Sequence, residues 1–282
     1  MTLNDQHRLS FEFFPPKTDA GREKLTATRE ALQAFEPDFF SVTYGAGGST
    51  RDNTRGVVVE ALAAGCNTAP HLSFGGDSED EIKALLDDYR NTGVTRIVAL
   101  RGDLPSGFGD GSRLVHASEL VQLIRRHSGD HFHLEVAAYP EIHPEAASYD
   151  EDIHFLKEKF SAGADSAITQ YFFNPDAYHY FVERCQKQGI DQPIFPGVMP
   201  IINFDNLKRF SKNCGAEIPR WLTHRIESLQ NHPQDYEKFC RDYVTSLCER
   251  LLADGAPGIH FYTMNQAEPT AAICRQLGLD GG

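Results

Sequence analysis

The stretch that decides the architecture reads Ala69-Pro70-His71-Leu72-Ser73-Phe74, then Ser78-Glu79-Asp80-Glu81 opening an amphipathic run to Thr92, then Arg96-Ile97-Val98-Ala99-Leu100. A short apolar run, a capped helical pattern and a second apolar run make one strand–helix–strand unit. Ser78 with Glu81 three residues on is a capping box, in which each residue satisfies a backbone N–H that the first helical turn leaves orphaned. Outward in both directions the unit repeats. Strands are predicted near Leu9–Phe14, Phe39–Thr43, His133–Ala138, Ser166–Phe172, Pro193–Val198 and Gly258–Tyr262. Helical patterns lie between them at Gly21–Phe35, Asn53–Ala64, Ala117–His127, Tyr149–Ala162, Pro175–Gln188 and Asp235–Asp254, with Glu268–Leu277 after the last strand. Such alternation implies a parallel sheet. Eight strands, each followed by a helix, predict an α/β fold of the (β/α)8 TIM-barrel type, with an open doubly wound sheet as the competing arrangement. The seventh unit is irregular. Between Val198 and Gly258 there is room for extra helices, including Pro219–Leu229 with the only tryptophan, Trp221. No linker or low-complexity run interrupts the chain, so residues 1–282 are expected to form a single barrel domain.

Composition narrows the function classes. With 40% hydrophobic and 24% charged residues, the chain is an ordinary globular sequence. Its formal net charge of −13 provides no footprint for nucleic acid and opposes an anionic membrane surface. Six cysteines are scattered without a C-x-x-C pair, which points to reduced thiols and a cytoplasmic setting rather than a disulfide framework or zinc site. No stretch approaches the ~18 consecutive apolar residues of a membrane span.

The strand ends carry the chemistry. In Ser10-Phe11-Glu12-Phe13-Phe14-Pro15-Pro16 a carboxylate sits among three phenylalanines. Burial disfavours the ionised form and raises a carboxyl pKa, by up to ~3–5 units when complete, which makes Glu12 a candidate proton donor. The competing reading points it outward or pairs it with a core cation. The other strands end in Thr43-Tyr44, His71, Arg101-Gly102-Asp103, Tyr139-Pro140-Glu141-Ile142-His143, Gln170 and Tyr262-Thr263-Met264-Asn265. In a barrel these ends build the active site, so a polar small-molecule site is expected there. Gly45-Ala46-Gly47-Gly48-Ser49-Thr50 could offer backbone N–H groups to a phosphate, but it lacks the P-loop lysine and the G-x-G-x-x-G spacing. His71 and His143 have no further ligand at helical spacing, so no metal is expected. The remaining histidines, His260 among them, offer no usable spacing.

Several strings occur in the order found in one family. They are Ser10–Pro16, Ser41-Val42-Thr43-Tyr44-Gly45-Ala46, Ala69-Pro70-His71-Leu72, Val98–Pro105, Ala137–Ala146, Gly163–Gln170 and His260-Phe261-Tyr262-Thr263. From Ser10 to about Glu268 the chain resembles the catalytic domain of methylenetetrahydrofolate reductases of the bacterial type. The resemblance implies a (β/α)8 barrel holding FAD non-covalently, without a Rossmann unit. It implies ping-pong reduction of 5,10-methylenetetrahydrofolate to 5-methyltetrahydrofolate with NADH or NADPH, feeding methionine synthesis. FAD would contact Thr43, His71, Arg101, Gly102, Asp103, Ala117, Tyr139, His143, Asp152 and Lys159. Asp152 and Lys159, seven apart on one helical face, suit a ribose hydroxyl and the pyrophosphate. Glu12 would donate the proton that opens the folate ring, and Asp103 would tune the flavin and steady the cationic folate. Gln170, Phe210, Tyr262 and Gln266 would line the substrate side.

Four residues depart from the family's usual pattern. Gln266 stands where arginine is frequent, Asn206 where glutamine is, His116 where tyrosine is, and Glu158 where a basic residue would meet the phosphates. A homo-oligomer is expected by resemblance, and, with the chain ending at Gly282, no control by S-adenosylmethionine. The alternatives are a proline-dehydrogenase-like flavin barrel, a flavin-free pterin-binding one-carbon transferase, and a non-catalytic folate- or flavin-binding module.

Overall fold

The computed structural model describes residues 8–44, 51–74, 77–101 and 116–279. Among these, parallel strands β1 (Arg8–Phe13), β2 (Phe39–Val42), β3 (Thr68–Leu72), β4 (Arg96–Ala99), β5 (His133–Ala138), β6 (Ser166–Thr169), β7 (Ile194–Phe195), β8 (Gly197–Val198) and β9 (Gly258–Tyr262) run in the order 7-6-5-4-3-2-1-9-8. β7 and β8 are two halves of one barrel strand. The first half pairs with β6 and the second with β9, which closes the barrel. The sequence predicts one continuous strand over Pro193–Val198. Pro196 divides it, because a proline nitrogen has no hydrogen for the ladder, although its carbonyl still accepts from His260 N–H at 3.0 Å.

Helices α1 (Asp19–Gln33), α2 (Arg51–Ala63), α3 (Glu79–Asn91), α4 (Ala117–Ser128), α5 (Tyr149–Ser161) and α6 (Pro175–Lys187) follow the first six strands, and α10 (Ala267–Gln276) follows β9. The seventh unit carries α7 (Phe204–Cys214), α8 (Arg220–Leu229) and α9 (Pro233–Ala253), the extra helices expected there. The capping box forms as read: Glu81 N–H donates to Ser78 Oγ at 3.3 Å, and Ser78 N–H to Glu81 Oε2 at 2.8 Å. Such a cap is worth about 1 kcal/mol. Behind it Ile82, Leu85, Leu86 and Tyr89 recur at the three-to-four spacing that faces the sheet. β6 ends at Thr169, short of the predicted Phe172, because Tyr171, Phe172 and Phe173 leave the ladder to pack in the core. Among the described residues no helix is long and apolar enough to cross a membrane.

Strand alternation resolves the aromatic run around Glu12. Phe11 and Phe13 point outward and stack on Phe40 and Phe261, with ring centroids 5.2–6.0 Å apart. Each buried phenylalanine contributes about 1.5–3 kcal/mol. Ser10 and Glu12 therefore face the lumen. Below them Phe39, Ala69, Val98, Ile168 and Phe195 form a separate buried cluster that plugs the barrel.

Candidate active site

Glu12 stands at the top of that plug, opposite Ser41 on β2 and Tyr262 on β9. Its strand end is tied to the end of the chain. Thr263 Oγ1 donates to the Glu12 carbonyl at 2.7 Å, and the Asn265 side chain bonds both backbone groups of Phe14. Glu12 Oε2 lies 3.3 Å from His71 Nε2 and 3.6 Å from His260 Nε2, while the carboxylate side chain keeps 18% of its surface exposed. Neither approach is a formed hydrogen bond: both ring nitrogens are buried without a partner among the described residues. Burial pushes the Glu12 carboxyl up, but the facing His71 and His260 together outweigh it and bring it down to about 2. The expected upward shift is thus reversed, because two imidazoles that sequence spacing cannot place converge on one carboxylate. This is a carboxylate–imidazole cluster, with one carboxylate facing two ring nitrogens at 3.3 and 3.6 Å.

Tyr262 closes the inner side. Its hydroxyl donates to the Thr169 carbonyl at 2.7 Å and its ring lies over Gly197. A Cβ at Gly197 would fall 2.1 Å from the Thr169 oxygen and 2.6 Å from the tyrosine ring, so only glycine fits under it. Burial, then the Glu12 carboxylate, drives the Tyr262 hydroxyl well above its usual range.

Beside this cluster a cavity of about 450 Å³ opens over the ends of β3, β4 and β5. His71, Arg101, Ala117, Tyr139, His143, Asp152 and Lys159 line it, seven of the residues predicted to hold a cofactor. Lys159 Nζ donates to the Ala137 carbonyl at 2.6 Å; burial lowers its ammonium to about 8, against the pull of Asp152. Asp152 accepts the His143 N–H at 2.9 Å and is held above its usual range by burial. Burial also lowers the His143 ring, which meets Tyr139 edge-on with centroids 4.5 Å apart. Arg101 pairs with Glu145 across the mouth. Between Glu141 and His143, Ile142 adopts φ 68°, a left-handed conformation costly for a β-branched residue, by about 1–3 kcal/mol. That bend turns His143 toward the cavity while Glu141 accepts the N–H of Glu217 at 2.7 Å.

Thr43, at the end of β2, presents a buried hydroxyl without a partner among the described residues, as does Ser41. Gly102, Asp103 and the Gly45–Thr50 loop lie outside the described residues. The predicted substrate-side residues are spread wider. Gln170 Oε1 accepts the N–H of its own neighbour Tyr171, Phe210 sits on α7 under the Arg209 guanidinium, and Gln266 precedes α10 without capping it by its side chain. The divergent His116 and Glu158 both line the cavity, with the His116 ring stacked on Phe155. Asn206 sits on α7 and accepts from Arg209 at 3.2 Å. His260 was missed in the sequence. The available signal was parity: it lies two residues from Tyr262 on one strand and so faces the same lumen.

A closed parallel barrel with a sheltered carboxylate and a nucleotide-sized cavity on its C-terminal rim has the layout of a small-molecule barrel enzyme. Relatives narrow that class. The family model described as methylenetetrahydrofolate reductase matches residues 1–278, and the chain belongs to that family. It is 40% identical over 281 residues to the 5,10-methylenetetrahydrofolate reductase of Salmonella typhimurium, covering 99% of this chain and 94% of that one. The Escherichia coli protein of the same name is 39% identical over the same length. Methylenetetrahydrofolate reductase (NADH) 1 of Arabidopsis thaliana is 35% identical, with half of that longer chain covered. Among solved structures, a Clostridium thermocellum protein that binds two copies of 5-methyl-5,6,7,8-tetrahydrofolic acid superposes with a TM-score of 0.66 at 19% identity, over 98% of this chain and 94% of that one. That likeness supports the fold.

Proposed function

We propose that the chain is an FAD-dependent reductase that converts 5,10-methylenetetrahydrofolate to 5-methyltetrahydrofolate with electrons from NADH or NADPH, supplying methyl groups for methionine synthesis in the cytoplasm. The observation that carries this reading is a carboxylate clasped by two imidazoles at the edge of a cofactor-sized cavity, in a chain of this family. The residues fit FAD. Thr43, next to the cavity-lining Tyr44, offers a hydroxyl with no partner among the described residues, Asp152 suits a ribose hydroxyl, and Lys159 and Arg101 suit phosphate oxygens. Bound there, flavin would accept hydride from the pyridine nucleotide and pass it to the folate.

The chain's own residues do the rest. Glu12 protonates the folate nitrogen and opens the five-membered ring to a cationic iminium. General acid catalysis of this kind contributes ~10²–10⁴-fold. Asp103 would offset the positive charge that develops, and Gln170, Phe210, Tyr262 and Gln266 would hold the pterin and its tail. Nucleotide and folate take turns at one face, which is ping-pong behaviour, and the working form is a homo-oligomer. The test is a visible spectrum followed by anaerobic NADH and then methylenetetrahydrofolate. A flavin band that bleaches with the first and returns with the second is expected. A band that bleaches and stays bleached would reject this substrate, and no flavin uptake would reject the reading.

A further inference from the structure

We infer that His260, braced by Ser10, is a positioning residue for Glu12: it fixes where the carboxyl points and how tightly that carboxyl holds its proton. The inference rests on the reading of Glu12 as proton donor and adds a residue to which that reading gives no part. His260 is fully buried. Its Nδ1 lies 2.7 Å from Ser10 Oγ. Ser10 is buried too and has no other acceptor among the described residues, so its hydroxyl donates to Nδ1. That bond selects the tautomer whose hydrogen is on Nε2, the nitrogen facing Glu12 Oε2 at 3.6 Å.

The ring cannot swing away. Phe39 stacks against it with centroids 6.1 Å apart, and Tyr262 meets it edge-on at 5.3 Å. Register supports the arrangement, since Ser10 pairs with His260 and Glu12 with Tyr262 on adjacent strands. A buried N–H without a partner, a short rotation from a carboxylate, is costly at rest and is satisfied when the carboxylate swings in. The titratable groups facing Glu12 among the described residues are His71 from β3 and His260 and Tyr262 from β9, while β2 presents the Ser41 hydroxyl. His71 also lines the cavity and so shares its environment with whatever binds there, whereas His260 is sealed beneath. The two imidazoles therefore divide the work, His71 toward the ligand and His260 as the fixed reference.

The test uses the FAD-loaded full chain and three variants, His260→Leu, His260→Gln and Ser10→Ala. One readout is the carboxyl titration of Glu12 in protein labelled with ¹³C-glutamate, its signal identified by its loss in Glu12→Gln. The other is the pH profile of the folate half-reaction. Losing an imidazole that holds the carboxylate should move both the titration midpoint and the alkaline limb of the rate upward by about one pH unit or more in His260→Leu. His260→Gln, which keeps an N–H to offer the carboxylate, should shift both less than His260→Leu does. Ser10→Ala should shift both less, and it preserves the test if the leucine variant fails to fold. Unchanged titration and an unchanged limb in folded variants would overturn the inference. Normal folate reduction by Glu12→Gln would instead overturn the proton-donor reading beneath it.

Discussion

Two glutamates face the inside of this barrel, one at each end, and their surroundings differ. Glu135, toward the N-terminal end of β5, is completely buried. Ser166 donates to it at 2.6 Å, the Arg96 guanidinium pairs with it, and His133 Nε2 lies 3.3 Å away. His133 also bonds Ser166 at 2.7 Å, and Arg96 stacks over Phe39 at 4.4 Å. Burial pushes the Glu135 carboxyl up and these partners bring it below its usual range, as at Glu12. The contrast lies in satisfaction. Both oxygens of Glu135 are engaged by short contacts, whereas Glu12 faces two ring nitrogens at 3.3 and 3.6 Å that have no formed hydrogen bond among the described residues. A buried carboxylate is thus not functional merely by being buried. A finished hydrogen-bond set fits a structural role for Glu135, and the unfinished set around Glu12 is what the proposed role in catalysis calls for.

The sharpest way to break this contrast is to exchange the consequences. Glu12→Gln should slow folate reduction by at least ~10²-fold in single-turnover kinetics and leave the melting temperature nearly unchanged. Glu135→Ala should do the opposite, costing about 3 kcal/mol in urea unfolding because the half-buried Arg96 loses its carboxylate partner. Similar destabilisation in both variants would erase the distinction. On the cavity wall, Lys159→Met should weaken FAD about tenfold or more in equilibrium titration, through loss of a charge-assisted bond to phosphate.

The smallest expected effect concerns Glu141. Burial, with the nearby Glu217 carboxylate adding to it, holds the Glu141 carboxyl up at about 7, against the lowering bond from the Glu217 N–H. With its folded value above the ordinary 4.5, the proton stabilises the fold at low pH, and that contribution is lost as pH rises through about 7. Glu141→Gln should therefore melt about 2 °C higher than the parent at pH 8 and match it near pH 4.5, by calorimetry.

The fold was readable because its signals are local and repeated. The Ser78 capping box and the alternation around Glu12 needed no distant partner. Pro196 was visible too, but its consequence depends on which strands flank it, β6 on one side and β9 on the other. For the site, His71, Arg101, Tyr139 and His143 follow from their position at strand ends, while Ala117, Asp152 and Lys159, on α4 and α5, follow only from the family resemblance. The pairing of His71 and His260 on Glu12 was not legible, because three residues on β1, β3 and β9 meet only after the barrel closes. The direction of the Glu12 shift was misjudged for the same reason: sequence supplies the burial and hides the countercharge.

The lacing of β1 to β9 also bears on how the chain assembles during synthesis. Ser10, Glu12 and Phe14 find their partners about 250 residues later, at His260, Thr263 and Asn265. Contacts of such long separation form late, after many loops have closed. About 250 further residues must be synthesised before β1 has a neighbour on that side, and until then it is an unpaired edge carrying Phe11 and Phe13. Glu12 is therefore among the last groups to reach its final surroundings, so a partly made barrel can hold most of its core before the cluster around this carboxylate forms.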